Sequence, residues 1–210
     1  MTKCMARAPG MVWPGHIHVR NKVRQLTYGR LPLNFFLSLG VSPARSPHKC
    51  VPSSLWRAPR TAVVGFLQGL FSADGTVQVS DEKQDCSVRL ASSSQRLLEE
   101  VQLLLSNFGI VARLQQRRQA GVRSMPDGKG GAGLYPHQAQ YELIIGKANR
   151  DRFAEKIGFL QHEKQAALVT FISNKRRATN REFYEDTVVA VEAAGVSRCL
   201  RPDLSPTPKA

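Results

Sequence analysis

Residues 65–77 read Gly65-Phe66-Leu67-Gln68-Gly69-Leu70-Phe71-Ser72-Ala73-Asp74-Gly75-Thr76-Val77, and this stretch decides the fold. From Thr61 onward the apolar positions Val64, Leu67, Leu70 and Phe71 recur at helical spacing, which predicts a helix running to Asp74. Gly75 is then expected to supply a backbone turn that other residues resist. Within the helix Gly65, Gly69 and Ala73 stand four apart and share one side. Such a stripe lets a second helix approach more closely than the usual separation of about 8–10 Å between axes. It ends at Asp74, a poor electrostatic position, because the C-terminal end of a helix dipole is already negative. Two such helices side by side would gather two carboxylates, a like-charged cluster that invites a hard divalent cation such as Mg²⁺. The same residues are also compatible with a plain turn after a helix whose glycines only serve core packing.

Downstream, Thr76–Ser80 and Ser87–Ser92 alternate around the polar run 81–85, a β-hairpin pattern. Ser92 or Ser94 can cap a helix whose Leu97, Leu98, Val101, Leu104, Leu105 and Phe108 form one stripe, closed by Gly109. A second strand pair, Val111–Gln119 and Gln140–Ile145, flanks a Gly-rich stretch, 121–137, read as a long surface loop. Asn149 or Asp151 can start another helix ending at Gly158, and 163–177 reads as a last, basic one. Upstream, Leu33, Phe36, Leu37 and Leu39 before Gly40 read as the final turns of a helix with a glycine cap, followed by a Pro-rich linker, 41–59. Residues 1–30 and 196–210 carry no sustained period and are expected to be irregular.

Period two divides the strands into two faces. Val77, Val79, Val88, Leu90, Ala112, Leu114, Leu143 and Ile145 fall on the side that can meet the helices. Gln78, Ser80, Arg89, Arg113, Gln115 and Arg117 fall on the other, and these residue types hydrogen-bond to phosphates and to base edges in the major groove. Antiparallel sheets commonly present a polar face to water, so the pattern alone leaves solvation and DNA binding both open. Composition leans toward a polyanionic partner: 30 Lys and Arg against 16 Asp and Glu give a net charge of +14. The four cysteines, Cys4, Cys50, Cys86 and Cys199, have no paired zinc spacing and read as ordinary thiols of a reducing compartment. No apolar run approaches a membrane span and the N-terminus lacks a signal-peptide pattern, so the expectation is a cytoplasmic protein with no membrane partner.

The segment Gly65–Val77 resembles the LAGLIDADG motif of homing endonucleases, and the predicted element order resembles the αββαββα repeat of that α+β fold, with its saddle-like antiparallel sheet. His48-Lys49-Cys50-Val51-Pro52 resembles the Lys-x-Ile/Val-Pro element that precedes the second motif in the endonucleases of inteins. Leu103–Ile110 and the run from Tyr141 to Leu160 are similar to later elements of the family. The resemblance implies metal-dependent cleavage of double-stranded DNA at a long site, with the sheet in the major groove. It implies that Asp74 ligates and works through Mg²⁺, with the Ala73 carbonyl as a further oxygen, and that Gly65, Gly69 and Ala73 form an interface between repeats. A basic residue near the fourth strand often assists, and Lys147 is the candidate. The implied organisation is an irregular segment 1–30, a remnant of a preceding repeat and linker at 31–60, the endonuclease repeat at 61–180, and a splicing-domain remnant with an irregular tail at 181–210.

The departures from the pattern are equally specific. Residues 1–30 contain no second small-residue stripe ending in an acidic residue and glycine, so the partner acid is missing; a homodimer through the stripe or a complementing first repeat could supply it, and the remnant of a preceding repeat argues against the homodimer. Residues 182–196 resemble the strand that re-enters an intein splicing domain, yet the chain ends Pro206-Thr207-Pro208-Lys209-Ala210 without the terminal residues that splicing needs, as if truncated or shifted in reading frame. Self-splicing is therefore not expected. A binding-only remnant, similar to a maturase or regulator acting on DNA or RNA, stands as the alternative to a nuclease.

Overall fold

The structure, a computed structural model, describes residues 2–8, 11–20, 23–80, 85–126, 128, 130–174 and 190–191. The chain divides into two compact units, Met1–Asn180 and Arg181–Ala210. The strand expected at 182–196 lies almost wholly outside the described residues, as does the tail after it.

The chain begins with β1 (Thr2–Ala8), β2 (Met11–Arg20) and β3 (Val23–Tyr28), an antiparallel meander in the order β1-β2-β3. This corrects the expectation of an irregular segment over 1–30. A meander pairs neighbours in sequence through backbone hydrogen bonds, and such pairing needs no period-two run of apolar residues to announce it. Helix α1 (Arg30–Ser38) follows and closes as predicted: Gly40 has φ +84° and donates its N–H to Leu37, while Val41 donates to Phe36. The Pro-rich linker contains two short 3₁₀ turns, Ser46–His48 and Ser53–Arg57.

Then come α2 (Arg60–Asp74), β4 (Gly75–Ser80), β5 (Asp85–Ser92), α3 (Gln95–Ser106), β6 (Arg113–Arg118), β7 (Gly121–Pro126), β8 (Ala132–His137), β9 (Gln140–Gly146), α4 (Lys147–Lys156) and α5 (His162–Ser173). The main sheet is antiparallel in the order β4-β5-β9-β6, so β5 and β9 are its central strands. The αββαββα order is present, and the fold is α+β. Strands β7 and β8 form a separate two-stranded ribbon where a long loop was expected. Most of the ribbon's residues are exposed, so no buried face imposed an alternating pattern by which to recognise it.

Helices α2 to α5 pack on the apolar face of the main sheet. Leu67 and Phe71 of α2, Val88 and Leu90 of β5, Leu98, Val101 and Leu105 of α3, Leu143 and Ile145 of β9, Phe153 of α4 and Leu168 of α5 are all essentially inaccessible. Phe71 lies 4.8 Å from Phe153 between ring centroids, and Phe153 lies 5.4 Å from Phe159. Of the residues expected to face the helices, Val79 alone is notably open, at 42%, because it stands on an edge strand with one neighbour. Ser94 caps α3 by accepting from the Leu97 N–H at 3.1 Å. Buried Arg150 ties α4 to the sheet: it donates to the Cys86 carbonyl at 3.0 Å and to Asp151 at 2.7 Å, and it covers the Phe171 ring at 4.9 Å. Burial pushes the Cys86 thiol up despite that guanidinium, and Cys50 and Cys86 are both free. No helix among the described residues is long and apolar enough to cross a membrane.

Phe71 joins α2 to α4 at the centre of this core, so Phe71→Ala should destabilise the protein by about 3–5 kcal/mol. A urea titration followed by circular dichroism checks this, and a midpoint within error of wild type would refute the central role.

Candidate nucleic-acid interface and adjoining cleft

Helix α2 passes into β4 without an intervening residue: Asp74 is its last residue and Gly75 is the first of the strand. The Gly75 N–H donates to the Phe71 carbonyl. Gly75 has φ −81°, so the reason for glycine is not the left-handed turn expected from sequence. The reason is close approach: a Cβ here would come within 2.5 Å of the Phe71 carbonyl oxygen and 3.0 Å of its Cα, backbone atoms that cannot move aside. The tight exit buries Phe71 and leaves Ala73 and Asp74 exposed.

Three contacts hold the same helix from its other sides. Gln68 donates to the Ile157 carbonyl at 2.6 Å, the Leu160 N–H donates to Ser72 Oγ at 2.7 Å, and Lys164 donates to the Ser72 carbonyl at 2.7 Å. The Lys164 ammonium also opposes the negative end of the helix dipole. The small-residue stripe takes no part in this packing. Gly65 and Ala73 are exposed, Gly69 is half-buried, and a Cβ built on either glycine would meet nothing within 4 Å. Core packing among the described residues therefore does not account for the glycines.

Asp74 lines a cleft of about 330 Å³ together with Lys49, Ser46, Ala91, Ser92 and Gln140. Lys49 was not singled out from the sequence, although it lies in the His48–Pro52 element that was. Its segment is fixed onto α3: Ser94 Oγ donates to the Lys49 carbonyl at 2.6 Å, the Val51 N–H donates to Glu100 Oε2 at 2.7 Å, and the Val51 side chain is buried. Lys147, the candidate from sequence, is not brought to Asp74. It is exposed at the start of α4 with φ +49°, at the opposite end of β9 from Gln140. At about 3.4 Å per residue, that strand separates Lys147 from the cleft by roughly 20 Å. Among the described residues no group of three or more His, Cys, Asp or Glu is gathered to hold a metal ion. Among the described residues that line the cleft, Asp74 is the one carboxylate.

The polar face of the sheet adjoins the cleft, since Ala91, which lines it, stands directly opposite Glu142 in the ladder. Gln78, Arg113 and Arg117 are exposed; Ser80, Arg89 and Gln115 are half-buried. Glu142, at the middle of this face, was not anticipated. Its Oε2 accepts from Arg89 at 3.3 Å, from Gln115 at 3.2 Å and from Arg117 at 3.1 Å. Arg113 donates to Gln115 at 2.8 Å, so the face is one connected set of side chains. The signal for Glu142 was its parity: it alternates with buried Leu143 and so belongs on the polar side. A bulge between Gln116 and Arg118 interrupts the ladder at Arg117.

Because Ser94 holds both the first turn of α3 and the Lys49 carbonyl, Ser94→Ala should cost about 1–2 kcal/mol. Thermal unfolding measures this, and an unchanged melting temperature would show that neither bond matters.

Residues 61–158 match the family model of the LAGLIDADG-like domain. Among curated proteins, the chain is 34% identical over 149 residues to the replicative DNA helicase DnaB of Synechocystis sp., covering 69% of this chain and 16% of that one. It is 26% identical over 149 residues to the ribonucleoside-diphosphate reductase NrdEB subunit alpha of Bacillus subtilis, covering 70% and 14%. The chain thus spans about a sixth or less of the length of these relatives. A solved structure from work on mesophilic variants of the homing endonuclease I-DmoI aligns at 19% identity with a TM-score of 0.44, covering 74% of this chain and 67% of that one. The family match begins at the helix that bears the glycine stripe and ends at Gly158, just past α4, so residues 61–158 form a LAGLIDADG-like domain.

Proposed function

We propose that this chain is an intein-derived homing-endonuclease repeat that binds double-stranded DNA on the polar sheet face and cuts it, with divalent metal, only when a second repeat docks on α2. The observation that carries this reading is the open Gly65–Gly69–Ala73 seam ending at exposed Asp74. A stripe of two glycines and an alanine, unused in packing among the described residues, suits a helix of the same kind from a second copy or a complementing repeat. The intein context is supported by the relatives. One segment recurs in a helicase and in a reductase subunit, proteins of unrelated chemistry, and covers a small share of each, as an inserted element would.

Asp74, with the Ala73 carbonyl near it, would hold Mg²⁺ together with the partner's acid. The ion would activate water and offset charge on the phosphate. Lys49 shares the cleft with Asp74, so it, rather than Lys147, is placed to meet charge developing on a scissile phosphate. The polar face, part of a chain of net charge +14, would seat the duplex beside the cleft. One observation favours a binding-only role: among the described residues the cleft holds a single acid. That reading keeps the sheet face and needs no partner.

Purified full-length protein incubated with Mg²⁺ and plasmids carrying uninterrupted helicase or reductase genes distinguishes the two. Metal-dependent nicking is expected, abolished by Asp74→Asn, reduced on the order of 100-fold by Lys49→Ala, and unchanged in Lys147→Ala. Salt-sensitive duplex binding with no nicking at any protein concentration selects the binding-only role. Sedimentation tests the seam: wild type should self-associate on DNA, and Gly65→Val with Gly69→Val should leave it monomeric. Cutting that survives those two substitutions would overturn the docking surface.

A further inference from the structure

We infer that Glu142 is the specificity-determining positioning residue of the polar sheet face: it holds Arg89 and Arg117 for base-edge readout and withholds them from the phosphates. The inference rests on the reading of that face as a duplex-binding surface. A carboxylate at the middle of such a surface is electrostatically costly, since it repels the ligand the rest of the face attracts. Yet Glu142 is only 9% exposed, on a central strand of the sheet, and a single oxygen of it takes hydrogen bonds from Arg89 on β5 and from Gln115 and Arg117 on β6.

That arrangement has two consequences. First, two flexible cations are drawn from flanking strands to one point and held there, with Arg89 further fixed by its Nε donating to Ser87 Oγ at 2.9 Å. Second, each guanidinium shares a negative partner, so its pull on a phosphate is weakened while its remaining N–H groups keep their hydrogen-bonding geometry. A planar fork of reduced net charge favours a neutral bidentate acceptor, and in the major groove that acceptor is the O6 and N7 edge of guanine. The bulge that interrupts the ladder at Arg117 is consistent with this, because bulges re-aim a side chain.

Glu142→Gln keeps the side-chain shape and removes the charge, so the test compares full-length wild type and Glu142→Gln on two probes. On a mixed-sequence duplex the variant should bind more tightly, and its salt dependence should steepen by about 0.9 for each arginine released to a phosphate, up to about 1.8 for both. On a duplex pool with randomised positions, wild type should enrich a guanine-containing site, and the variant should lose about tenfold of that preference. If Glu142→Gln does not fold, Arg89→Lys with Arg117→Lys replaces it: charge and salt slope stay as they are and the guanine preference falls. A purely structural Glu142 would change the melting temperature and leave slope and preference untouched, which overturns the inference. Wild type that binds duplex without sequence preference overturns it as well, while wild type with no salt-dependent duplex binding defeats the duplex-binding reading itself.

Discussion

The chemistry of this chain depends on how α2 ends. Within four residues, the backbone carries a fully buried Phe71 and an exposed Asp74, then turns directly into β4. The turn closes through the Gly75 N–H and the Phe71 carbonyl at an approach that no Cβ would survive. A longer connection would let the strand drift away from the helix, and Asp74 with it. Because the exit is so short, the carboxylate has a defined position relative to both the core and the sheet ladder that begins at the next residue.

The surrounding structure limits the freedom of each part of the site. Phe71 is locked against Phe153, and Ser72 is bonded through its hydroxyl to Leu160 and through its carbonyl to Lys164. On the other side of the cleft the Lys49 carbonyl is bonded to Ser94, the N-cap of α3, and the Val51 amide to Glu100 in the middle of that helix. Lys49 lies in the Pro-rich linker and Asp74 at the end of α2, and the backbone around each is held by hydrogen bonds while both side chains are exposed. Rigid support with exposed functional atoms is what a site acting on a polyanion requires.

The sheet separates two tasks by parity. One side supplies Val88, Leu90, Leu143 and Ile145 to the core, and the other gathers arginine and glutamine around Glu142. A one-residue slip of register would exchange these faces and expose the core residues. Burial of the apolar side therefore also fixes which side chains the polar side presents. Arg150 contributes from the helix layer by bonding to the Cys86 carbonyl on β5.

The sequence by itself determined α2, the hairpin after it, the capped helix α3 and the inward residues of β5 and β9, because each carries a local period enforced by burial. It also singled out Asp74 and the glycine stripe, since small residues four apart before an acid are visible without coordinates. It did not disclose the meander at the N-terminus or the β7–β8 ribbon, whose pairing rests on backbone hydrogen bonds that leave no apolar period. Only the tertiary structure decided that Lys49 and not Lys147 shares a cleft with Asp74. A lysine's partners are set by which segments the fold brings together, and Lys49 and Asp74 stand 25 positions apart in the chain. Only the structure, likewise, showed that Gly75 answers to a neighbouring carbonyl, and that three side chains from two strands meet on one oxygen of Glu142.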